Sequence, residues 1–414
     1  MKILVVSHYF WPETFIINDL VTSLSGQGHE VVVATGKPNY PEGRLFAGYK
    51  AAGVERETFN AGIEVVRAPM RPRGTGGAVN LTLNYLSFVS SGLWHFPRLL
   101  RGRAFDVIFM FAPSPITSAI PAIFLKWRKK AHLAIWVQDL WPESLAATGF
   151  IRKPWLLKMV GWLVRGIYAC ADTLLIQSKA FHAPVARYAR ADKIIYYPNS
   201  VDEAGLSDDG GDAIPDELAS LLETHFCMVF AGNIGKAQAV ETLVGAALLL
   251  KDLPDCKLVL VGSGSMLAWV RERQLEDGLD NLVLAGRFPM DVMPQIYRRA
   301  AGLVVTLKDE EIFSYTIPSK VQAYLAAGKP IIAALNGEGA SVVIEASAGL
   351  TCPAEDAQAL ARAVRTLYAM PPSERQHMGA AGRAYFLEHF EMHRQARRLV
   401  EIFEQRITPI GGTI

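Results

Sequence analysis

The sequence predicts an α/β protein with two Rossmann-like, doubly wound parallel-sheet domains. Three observations support this class: a length of 414 residues, a composition that is 50% apolar and 20% charged, and short apolar runs that alternate with helical segments. A prior of about 100–200 residues per domain favours two domains. The apolar runs lack strict alternation, as expected for parallel strands that helices cover on both faces.

Seven apolar runs lie in the first half of the chain and five in the second, and a loop and a helical pattern follow most of them. The runs predict strands at residues 3–6, 30–35, 63–67, 106–111, 133–137, 173–176 and 193–197, and then at 227–231, 257–261, 282–285, 302–306 and 330–334. In open parallel sheets, ligands bind beyond the carboxyl ends of the strands. We therefore expect the functional residues in the loops that follow the strands.

Composition indicates the domain boundaries. Residues 203–217 (EAGLSDDGGDAIPDE) are rich in Gly, Asp and Ser, so we expect a linker at 199–225. The strands on either side of it place an N-terminal domain at 1–198 and a second domain at 226–390. The amphipathic segment at 391–414 is expected to form a helix that packs back on the N-terminal domain.

Charge and cysteine content limit the possible functions. Residues 1–198 contain 23 Lys and Arg against 12 Asp and Glu, whereas residues 199–414 contain 19 against 28, so the two halves should face different partners. The four cysteines are widely separated, without the close pairs that a zinc site or a redox couple needs. We expect a reduced, cytoplasmic setting, no signal peptide, no metal site and no nucleic-acid partner.

One helical segment has the composition of an anion-binding helix. Pro318 suits a first helical turn, and Thr316 and Ser319 offer hydroxyl groups to free backbone N–H groups. Gly328 ends the helix before an apolar strand. Lys320 then lies in the first turn, where a cation is unfavourable unless an anion binds beside it. The alternative is a lysine that points into solvent.

Two loops of the first half contain Trp-Pro-Glu followed by a hydroxyl residue, at 11–13 and at 141–143. Each loop follows a predicted strand, so Glu13 and Glu143 should reach the same edge of the sheet. We expect both glutamates to lie at one functional site, with Asp139 orienting its loop. The alternative is ordinary helix-start chemistry, which also favours Pro followed by Glu.

Three loops of the second half combine glycine with polar residues. In 230–238 (FAGNIGKAQ), the glycines let the backbone approach a phosphate closely, and Asn233 and Lys236 supply hydrogen-bond donors. The Gly-Ser-Gly at 262–264 fits either binding or plain packing, and packing is the commoner reason for such a turn. The loop at 285–288 offers backbone groups to the edge of a nucleotide base.

With these loops, the chain resembles the GT-B retaining glycosyltransferases of family 4, in the branch of O-antigen and colanic-acid glycosyltransferases that includes N-acetyl-L-fucosamine transferases of the WbuB type. The resemblance covers nearly the whole chain. It rests on YFWPE at 9–13, GKPNYPEG at 36–43, QDLWPES at 138–144, GNIG at 232–235, and IPSK at 317–320 with GKP at 328–330.

The resemblance implies a cleft between the two domains and a C-terminal helix that crosses back. It also implies a sugar nucleotide held mainly by the second domain, an acceptor held by the first, and transfer with retention, without a metal or other cofactor. Together with the patterns above, it gives these candidate catalytic residues: Glu13, Gln138, Asp139, Glu143 and Lys320. Glu13 and Glu143 are expected on the acceptor and donor-sugar side of the cleft. The candidate donor-binding residues are Gly232, Asn233, Gly235, Lys236, Gly262, Arg287, Phe288, Glu311, Thr316, Ile317, Pro318, Ser319 and Lys320.

The chain also departs from the family. Many members carry two glutamates eight residues apart before the Gly-Lys-Pro turn, and this chain has Tyr315 and Ala323 there. Glu310 or Glu311 is the candidate replacement for the first glutamate, and nothing obvious replaces the second. Gln138 stands where the family usually has histidine. No two carboxylates stand out as a nucleophile and acid/base pair, which fits front-face transfer, in which a phosphate oxygen takes the acceptor proton.

The sequence therefore predicts transfer of a sugar from a UDP-sugar to a polyprenyl-diphosphate-linked saccharide during synthesis of O-antigen, capsule or exopolysaccharide. The expected sugar is an N-acetylated hexosamine such as FucNAc or GlcNAc. Two alternatives remain open at this point. One is a catalytically weak UDP-sugar-binding partner of another transferase, suggested by Tyr315 and Ala323, and the other is a UDP-sugar epimerase on the same fold.

A segment of the first half predicts contact with a membrane. Residues 79–96 contain no Asp, Glu, Lys or Arg, but their polar residues make them unsuited to a spanning helix. Basic residues flank them at Arg71, Arg73, Arg98, Arg101, Arg103 and 126–130. A basic residue near an anionic leaflet contributes about 1 kcal/mol, so we expect peripheral association with the inner face of the cytoplasmic membrane. The alternative is a core helix with a solvated basic flank.

Overall fold

The computed structural model describes residues 1–60, 62–75, 77–151, 153–202 and 214–407. The chain forms two compact units. Residues 1–199, together with the residues from Met392 onward, form the first unit, and residues 200–391 form the second. The Gly- and Asp-rich stretch 203–213, at the centre of the expected linker, lies outside the described residues.

The first unit is built on an eight-stranded sheet. Its strands are β1 (Lys2–Ser7), β2 (Glu30–Thr35), β3 (Glu55–Phe59), β4 (Ile63–Arg67), β5 (Val107–Ala112), β6 (His132–Val137), β7 (Thr173–Ile176) and β8 (Ile194–Tyr196). Their order is β3-β4-β2-β1-β5-β6-β7-β8, and all neighbours are parallel except β3 and β4. All seven apolar runs predicted in this half form strands. The additional strand, β3, is mostly charged, as is common at a sheet edge.

Helices cover both faces of this sheet. They are α1 (Ile16–Gly26), α2 (Ala78–Leu99), α3 (Ile120–Lys129), α4 (Glu143–Ala147), α5 (Pro154–Cys170) and α6 (His182–Ala186). The central strand β5 has the sequence VIFMFA and is buried at every position. Burial on both sides explains why the predicted runs are continuously apolar instead of alternating.

The second unit contains a six-stranded, fully parallel sheet. Its strands are β9 (Phe226–Asn233), β10 (Cys256–Ser263), β11 (Leu282–Gly286), β12 (Gly302–Thr306), β13 (Ile331–Ala334) and β14 (Gly349–Cys352). Their order is β11-β10-β9-β12-β13-β14. The five predicted strands are present, and β14 is additional. Two doubly wound parallel sheets, the predicted fold class, are therefore confirmed.

The helices of the second unit begin inside the segment expected to be a linker. They are α7 (Asp216–Thr224), α8 (Val240–Leu249), α9 (Leu267–Glu276), α10 (Met293–Arg299), α11 (Glu311–Ser314), α12 (Ser319–Ala327), α13 (Glu338–Glu345), α14 (Ala357–Ala369) and α15 (Pro372–His389). In α7, Leu218 and Leu222 are buried in the apolar core of the second unit. Because these side chains leave water on packing, α7 belongs to the second unit and is not a free connection.

The last helix, α16 (Met392–Ile407), returns to the first unit. Its Leu399 and Phe403 are fully buried in the apolar cluster that includes residues of α1. The Tyr197 hydroxyl donates a hydrogen bond to the Gln395 carbonyl oxygen at 3.1 Å. The amphipathic pattern of the C-terminal segment thus supplies the buried face of a helix in the first unit.

Candidate active site

The N-terminus of α12 carries the predicted lysine. The helix starts at Ser319, with Pro318 as its N-cap at φ −60° and ψ 137°, and it ends at Gly328 with φ +65°. Pro318 therefore precedes the first turn instead of lying inside it. The Thr316 hydroxyl lies 3.4 Å from the Phe313 carbonyl oxygen and does not cap the helix. Pro318 makes no side-chain cap hydrogen bond, so the expected hydroxyl cap does not stand at the N-cap of this helix.

Lys320 points inward. Its Nζ is buried and has no hydrogen-bond partner among the described residues, and it lies 3.6 Å from the centroid of the Phe230 ring. Burial lowers the pKa of Lys320 from 10.5 to about 7, since the charged amine loses its hydration. The alternative that Lys320 points into solvent is therefore excluded. An aromatic ring compensates such a cation only in part, and an anion would compensate it more fully.

Glycine is required where β9 and β10 end beside this lysine. Gly232 has φ +120°, and a Cβ added to it would lie 2.8 Å from Lys320 Cε. Gly262 has φ +143°, and its Cβ would lie 1.8 Å from the Gly232 carbonyl oxygen. A Cβ on Gly264 would lie 2.3 Å from the Ile234 carbonyl oxygen. The Gly-Ser-Gly turn thus serves close packing of two loops, the commoner of its two interpretations.

A cavity of about 780 Å³ opens beside these glycines. It brings together five of the predicted donor-binding residues: Gly232, Asn233, Gly262, Arg287 and Phe288. The other lining residues, which the sequence interpretation missed, are Val261, Ser263, Pro289, Met290, Met293 and Tyr297. Arg287 and Met290 are exposed at its rim. The volume falls within the roughly 300–1,000 Å³ of typical small-molecule sites.

A side-chain hydrogen bond spans the rest of the glycine loop. Asn233 Nδ2 donates to Gln238 Oε1 at 2.9 Å, and a Cβ on Gly235 would lie 2.6 Å from that same Nδ2 atom. Lys236 begins the 3₁₀ turn Lys236–Gln238, is exposed, and is not one of the residues that line the cavity. Asn233 is therefore placed toward the cavity, whereas Lys236 is not.

A hydroxyl–carboxylate pair occupies the place where the family carries its first glutamate. The Tyr315 hydroxyl donates to Glu311 Oε1 at 2.5 Å, and both residues follow β12. Glu310 precedes α11 as its N-cap and is exposed. Ala323 packs against the apolar core, and the buried Ile317 does the same. Glu311 is thus the acidic residue that Tyr315 orients, while the second family glutamate has no polar counterpart.

Glu13 has a structural role that the sequence did not indicate. Its side chain is 2% exposed, and its oxygens accept backbone hydrogen bonds from Phe10 at 3.1 Å and from Asn39 and Tyr40 at 2.7 Å each. Burial raises the pKa of Glu13, and these hydrogen bonds oppose the rise. The carboxylate therefore joins the loops after β1 and β2, and its expected role toward the acceptor stays a prediction.

The second Trp-Pro-Glu is placed differently. Glu143 starts α4, is partly exposed, and has Oε1 3.6 Å from an Arg187 side-chain nitrogen. The peptide bonds before Pro12 and Pro142 are both cis, so the two loops share a backbone feature although their glutamates differ. Glu143 is thus the more accessible of the two carboxylates, and it lies at the start of a helix.

Gln138 and Asp139 lie where β6 ends. The Gln138 carbonyl oxygen accepts from Gln177 Nε2 at 2.7 Å, whereas Nε2 of Gln138 is buried without a partner among the described residues. The Ser114 hydroxyl donates to Asp139 Oδ2 at 2.5 Å and accepts from Trp141 Nε1 at 2.7 Å. The Ser114 hydroxyl thereby links the Asp139 carboxylate to the Trp141 ring of the same loop.

Two family profiles cover most of the chain. A "Glycosyl transferase 4-like domain" matches residues 15–200, and "Glycosyl transferases group 1" matches residues 225–370. This chain carries both domains of a group 1, 4-like glycosyltransferase. Because the matches fall on the two compact units separately, the cavity beside Gly232 belongs to the group 1 domain of this glycosyltransferase.

Curated relatives are distant. The glycosyltransferase is 25% identical over 273 residues to the probable glycosyltransferase WbjE of Pseudomonas aeruginosa, which is 64% of this chain and 66% of WbjE. It is also 25% identical over 346 residues to the putative colanic acid biosynthesis glycosyl transferase WcaI of Escherichia coli, 79% of this chain and 82% of WcaI.

Solved structures share the fold. Sucrose-phosphate synthase of Thermosynechococcus elongatus superposes with a TM-score of 0.70 and 17% identity, over 98% of each chain. HepE of Anabaena in complex with UDP superposes with a TM-score of 0.65 and 13% identity, over 98% of this chain and 100% of HepE. The fold of this glycosyltransferase is GT-B, as the sequence resemblance implied.

Proposed function

We propose that this glycosyltransferase moves a sugar from a UDP-sugar to a lipid-linked saccharide, with retention and without a metal, in surface-polysaccharide synthesis. The relative WcaI is named for colanic acid biosynthesis, and HepE structures contain UDP and UDP-glucose. Both support a nucleotide-sugar donor and a polysaccharide product here. The WbuB-type branch, with an N-acetylated hexosamine such as FucNAc or GlcNAc as the sugar, is part of the same proposal.

The unpartnered amine of Lys320 is the observation that carries this proposal. A buried cation without a counter-ion destabilises a protein, so its presence beside a glycine loop calls for an anionic ligand. A diphosphate supplies that charge, and the first-turn N–H groups of α12 would donate to its oxygens. As the bond to the sugar breaks, negative charge grows on the diphosphate, and Lys320 would stabilise it most strongly then.

The cavity lined by Arg287 and Phe288 supports a nucleoside next to that diphosphate. Phe288 and Tyr297 line the cavity and offer aromatic surface to a flat base, and Arg287 lines it beside them. The Glu311 carboxylate, oriented by Tyr315, is the proposed acceptor of hydrogen bonds from hydroxyl groups of the donor. We propose front-face transfer, because the acceptor proton can then pass to a phosphate oxygen without a protein base.

Three helices of the first unit support a membrane partner. Apolar side chains on α2, α3 and α5 are more than half exposed: Val79, Leu86, Trp94, Trp127, Trp155, Met159 and Trp162. These helices contain Lys and Arg but no Asp or Glu, and α3 contacts both of the others. Among the described residues, no helix has the length and apolar character needed to cross a bilayer. Peripheral binding to the cytoplasmic face of an anionic membrane therefore belongs to the proposal.

The donor half of the proposal is tested by ligand-induced stabilisation. UDP and a panel of UDP-sugars are added to the full chain, and the melting temperature is measured beside GDP, CDP and ADP. UDP at about 100 times its Kd should stabilise the protein by about 2.7 kcal/mol, and Lys320→Met should abolish the effect. Lys251→Met, which alters an exposed lysine of the same unit, should preserve it. Equal stabilisation by all four diphosphates would refute the uridine assignment, and no stabilisation would refute a nucleotide donor.

A further inference from the structure

Three amide side chains lie along a chain of hydrogen bonds in the first unit. Asn199 Nδ2 donates to Gln177 Oε1 at 2.8 Å, and Gln177 Nε2 donates to the Gln138 backbone carbonyl oxygen at 2.7 Å. A carbonyl oxygen can only accept, so Gln177 must present its nitrogen to Gln138 and its oxygen to Asn199. The backbone therefore fixes the orientation of both the Gln177 and the Asn199 amide groups.

One end of this chain holds the candidate catalytic loop. Strands β6 and β7 pair in parallel up to their last residues, and Gln138 and Gln177 follow them directly. The Gln138 N–H donates to the Ala112 carbonyl oxygen at 3.2 Å, and the Gln177 side chain supplies a donor to the Gln138 carbonyl. Gln177 is 9% exposed, so water has little access to replace this hydrogen bond. Gln177 thus extends the pairing of the two strands by one residue and fixes the backbone from which Asp139 follows.

The other end of the chain is the point where the polypeptide leaves the first unit. Asn199 is the last residue before the second unit begins, and the polypeptide returns to the first unit at Met392. Just inside the second unit, the Val201 N–H donates to the Phe390 carbonyl oxygen at 2.9 Å, so the outgoing and returning segments are joined through their backbones. The amide chain therefore runs from the connection between the units to the loop after β6.

We propose that Gln177 and Asn199 are positioning residues for the transfer reaction, and that they hold the loop after β6 in a fixed place relative to the end of the first unit. The inference rests on the proposed function, because it requires that Gln138 and Asp139 act on the substrate. A displacement of about 1 Å can lower a reaction rate about 100-fold, so hydrogen bonds outside the site can control turnover. Amide groups do not titrate, so this link should be equally strong at every pH at which the protein is folded.

Gln177→Met and Asn199→Asp test the two links separately. The first keeps a similar side-chain length but removes both hydrogen bonds, and the second places an acceptor oxygen against Gln177 Oε1. Each should lower kcat at least about tenfold, while the KM for the UDP-sugar and the affinity for UDP change less than about twofold. Turnover is measured as UDP released from the UDP-sugar that stabilises the full chain most. The double variant should lose no more than the worse single variant, because one broken link already interrupts the chain.

Hydrogen exchange of the loop tests the proposal without requiring activity. In both variants, the amides of residues 138–144 should exchange at least about tenfold faster than in wild type, whereas those of α1 should not change. Asn199→Asp is the more informative variant, because its effect on the loop passes through Gln177. Gln27→Met is the matched control, since Gln27 Nε2 also donates to a backbone carbonyl oxygen of the first unit, that of His393, at 2.8 Å. It should leave both kcat and the exchange of residues 138–144 unchanged.

Gln177→Glu adds a pH profile, assayed at a temperature at which wild type and variant are both fully folded. A charged carboxylate cannot donate to the Gln138 carbonyl, whereas a protonated one can, and its other oxygen still accepts from Asn199. Burial raises the pKa of the introduced carboxyl, so the kcat of the variant relative to wild type should rise at least about fivefold as the pH falls from about 8 to about 5.5. For Gln177→Met this ratio should stay constant. The titratable groups of the candidate site are common to all these proteins and cancel in the ratio: Asp139, Glu143 and Lys320.

Three outcomes would overturn the inference. The loop exchanges in Gln177→Met or Asn199→Asp as slowly as in wild type, kcat stays at the wild-type value although exchange rises, or the kcat ratio of Gln177→Glu does not depend on pH. Should Gln177→Met fail to fold, Gln177→Glu at low and high pH carries the same test. If wild type releases UDP from no UDP-sugar, the proposed function fails, and the exchange of residues 138–144 still decides whether these amides hold the loop.

Discussion

Replacing Lys320 by methionine should stabilise the unligated protein. Methionine keeps a similar length and flexibility but carries no charge, so the uncompensated amine over Phe230 is removed. The pKa of Lys320 falls from 10.5 to about 7, and each pKa unit corresponds to about 1.36 kcal/mol. The buried cation therefore costs up to roughly 5 kcal/mol of folding free energy, as an upper limit before local relaxation.

The sign of the pH dependence follows from proton linkage. Below pH 7 the amine is charged in both the folded and unfolded states, and the full penalty applies. Between pH 7 and 10.5 the folded state releases the proton while the unfolded state keeps it, so the stability of wild type rises relative to Lys320→Met. The advantage of the variant should shrink by about 2–3 kcal/mol between pH 6 and pH 9.

The measurement is urea denaturation of wild type and Lys320→Met at pH 6 and pH 9, without ligand. Lys251→Met serves as the control, and its difference from wild type should not vary between the two pH values. UDP at about 100 times its Kd should add about 2.7 kcal/mol to wild type only, so the advantage of the variant should shrink at pH 6 and disappear at pH 9. A variant that is less stable than wild type at pH 6, or a difference that does not change with pH, would refute the account of Lys320 as an uncompensated buried cation.

Three further outcomes are expected. Glu13→Gln should lower stability by about 1–3 kcal/mol, because an amide cannot accept all three backbone N–H groups, and calorimetry should show this while UDP affinity stays unchanged. Gly262→Ala should lose about 1–3 kcal/mol or more from backbone strain and a clash with the adjacent strand, whereas Gly286→Ala, with no atom within 4 Å of an added Cβ, should lose less in the same melts. Trp162→Ser should reduce co-sedimentation with phosphatidylglycerol vesicles at low salt, while Leu275→Ser, at a still more exposed apolar site in the second unit, should not. Wild-type behaviour of any of the first-named variants would contradict the corresponding contact.

Most of the fold follows from local patterns in the sequence. A continuously apolar run between loop residues predicts a buried parallel strand, and twelve such runs form strands here. The two additional strands, β3 and β14, lie at sheet edges and lack a continuous apolar run. Helix α7 was not predicted, because Gly- and Asp-rich residues precede it. Its buried Leu218 and Leu222 nevertheless show the four-residue spacing of a helix face.

The residues beside the cavity of the second unit were more predictable than those of the first-unit loops. Lys320 and the glycines can be identified from a few neighbouring residues of sequence. A cation in a first helical turn and a glycine directly after a strand are both unusual. Glu13 could not be interpreted in this way, since the backbone groups that hold its carboxylate come partly from Asn39 and Tyr40.

Helix α16 makes the first unit discontinuous in sequence, with the second unit inserted before its last helix. During synthesis, the first sheet therefore emerges complete before one of its covering helices has been made. Until then, apolar surface around α1 stays open to water. A chain that ends at residue 391 would keep that surface exposed permanently, whereas residues 200–391 form an uninterrupted segment that could be produced alone.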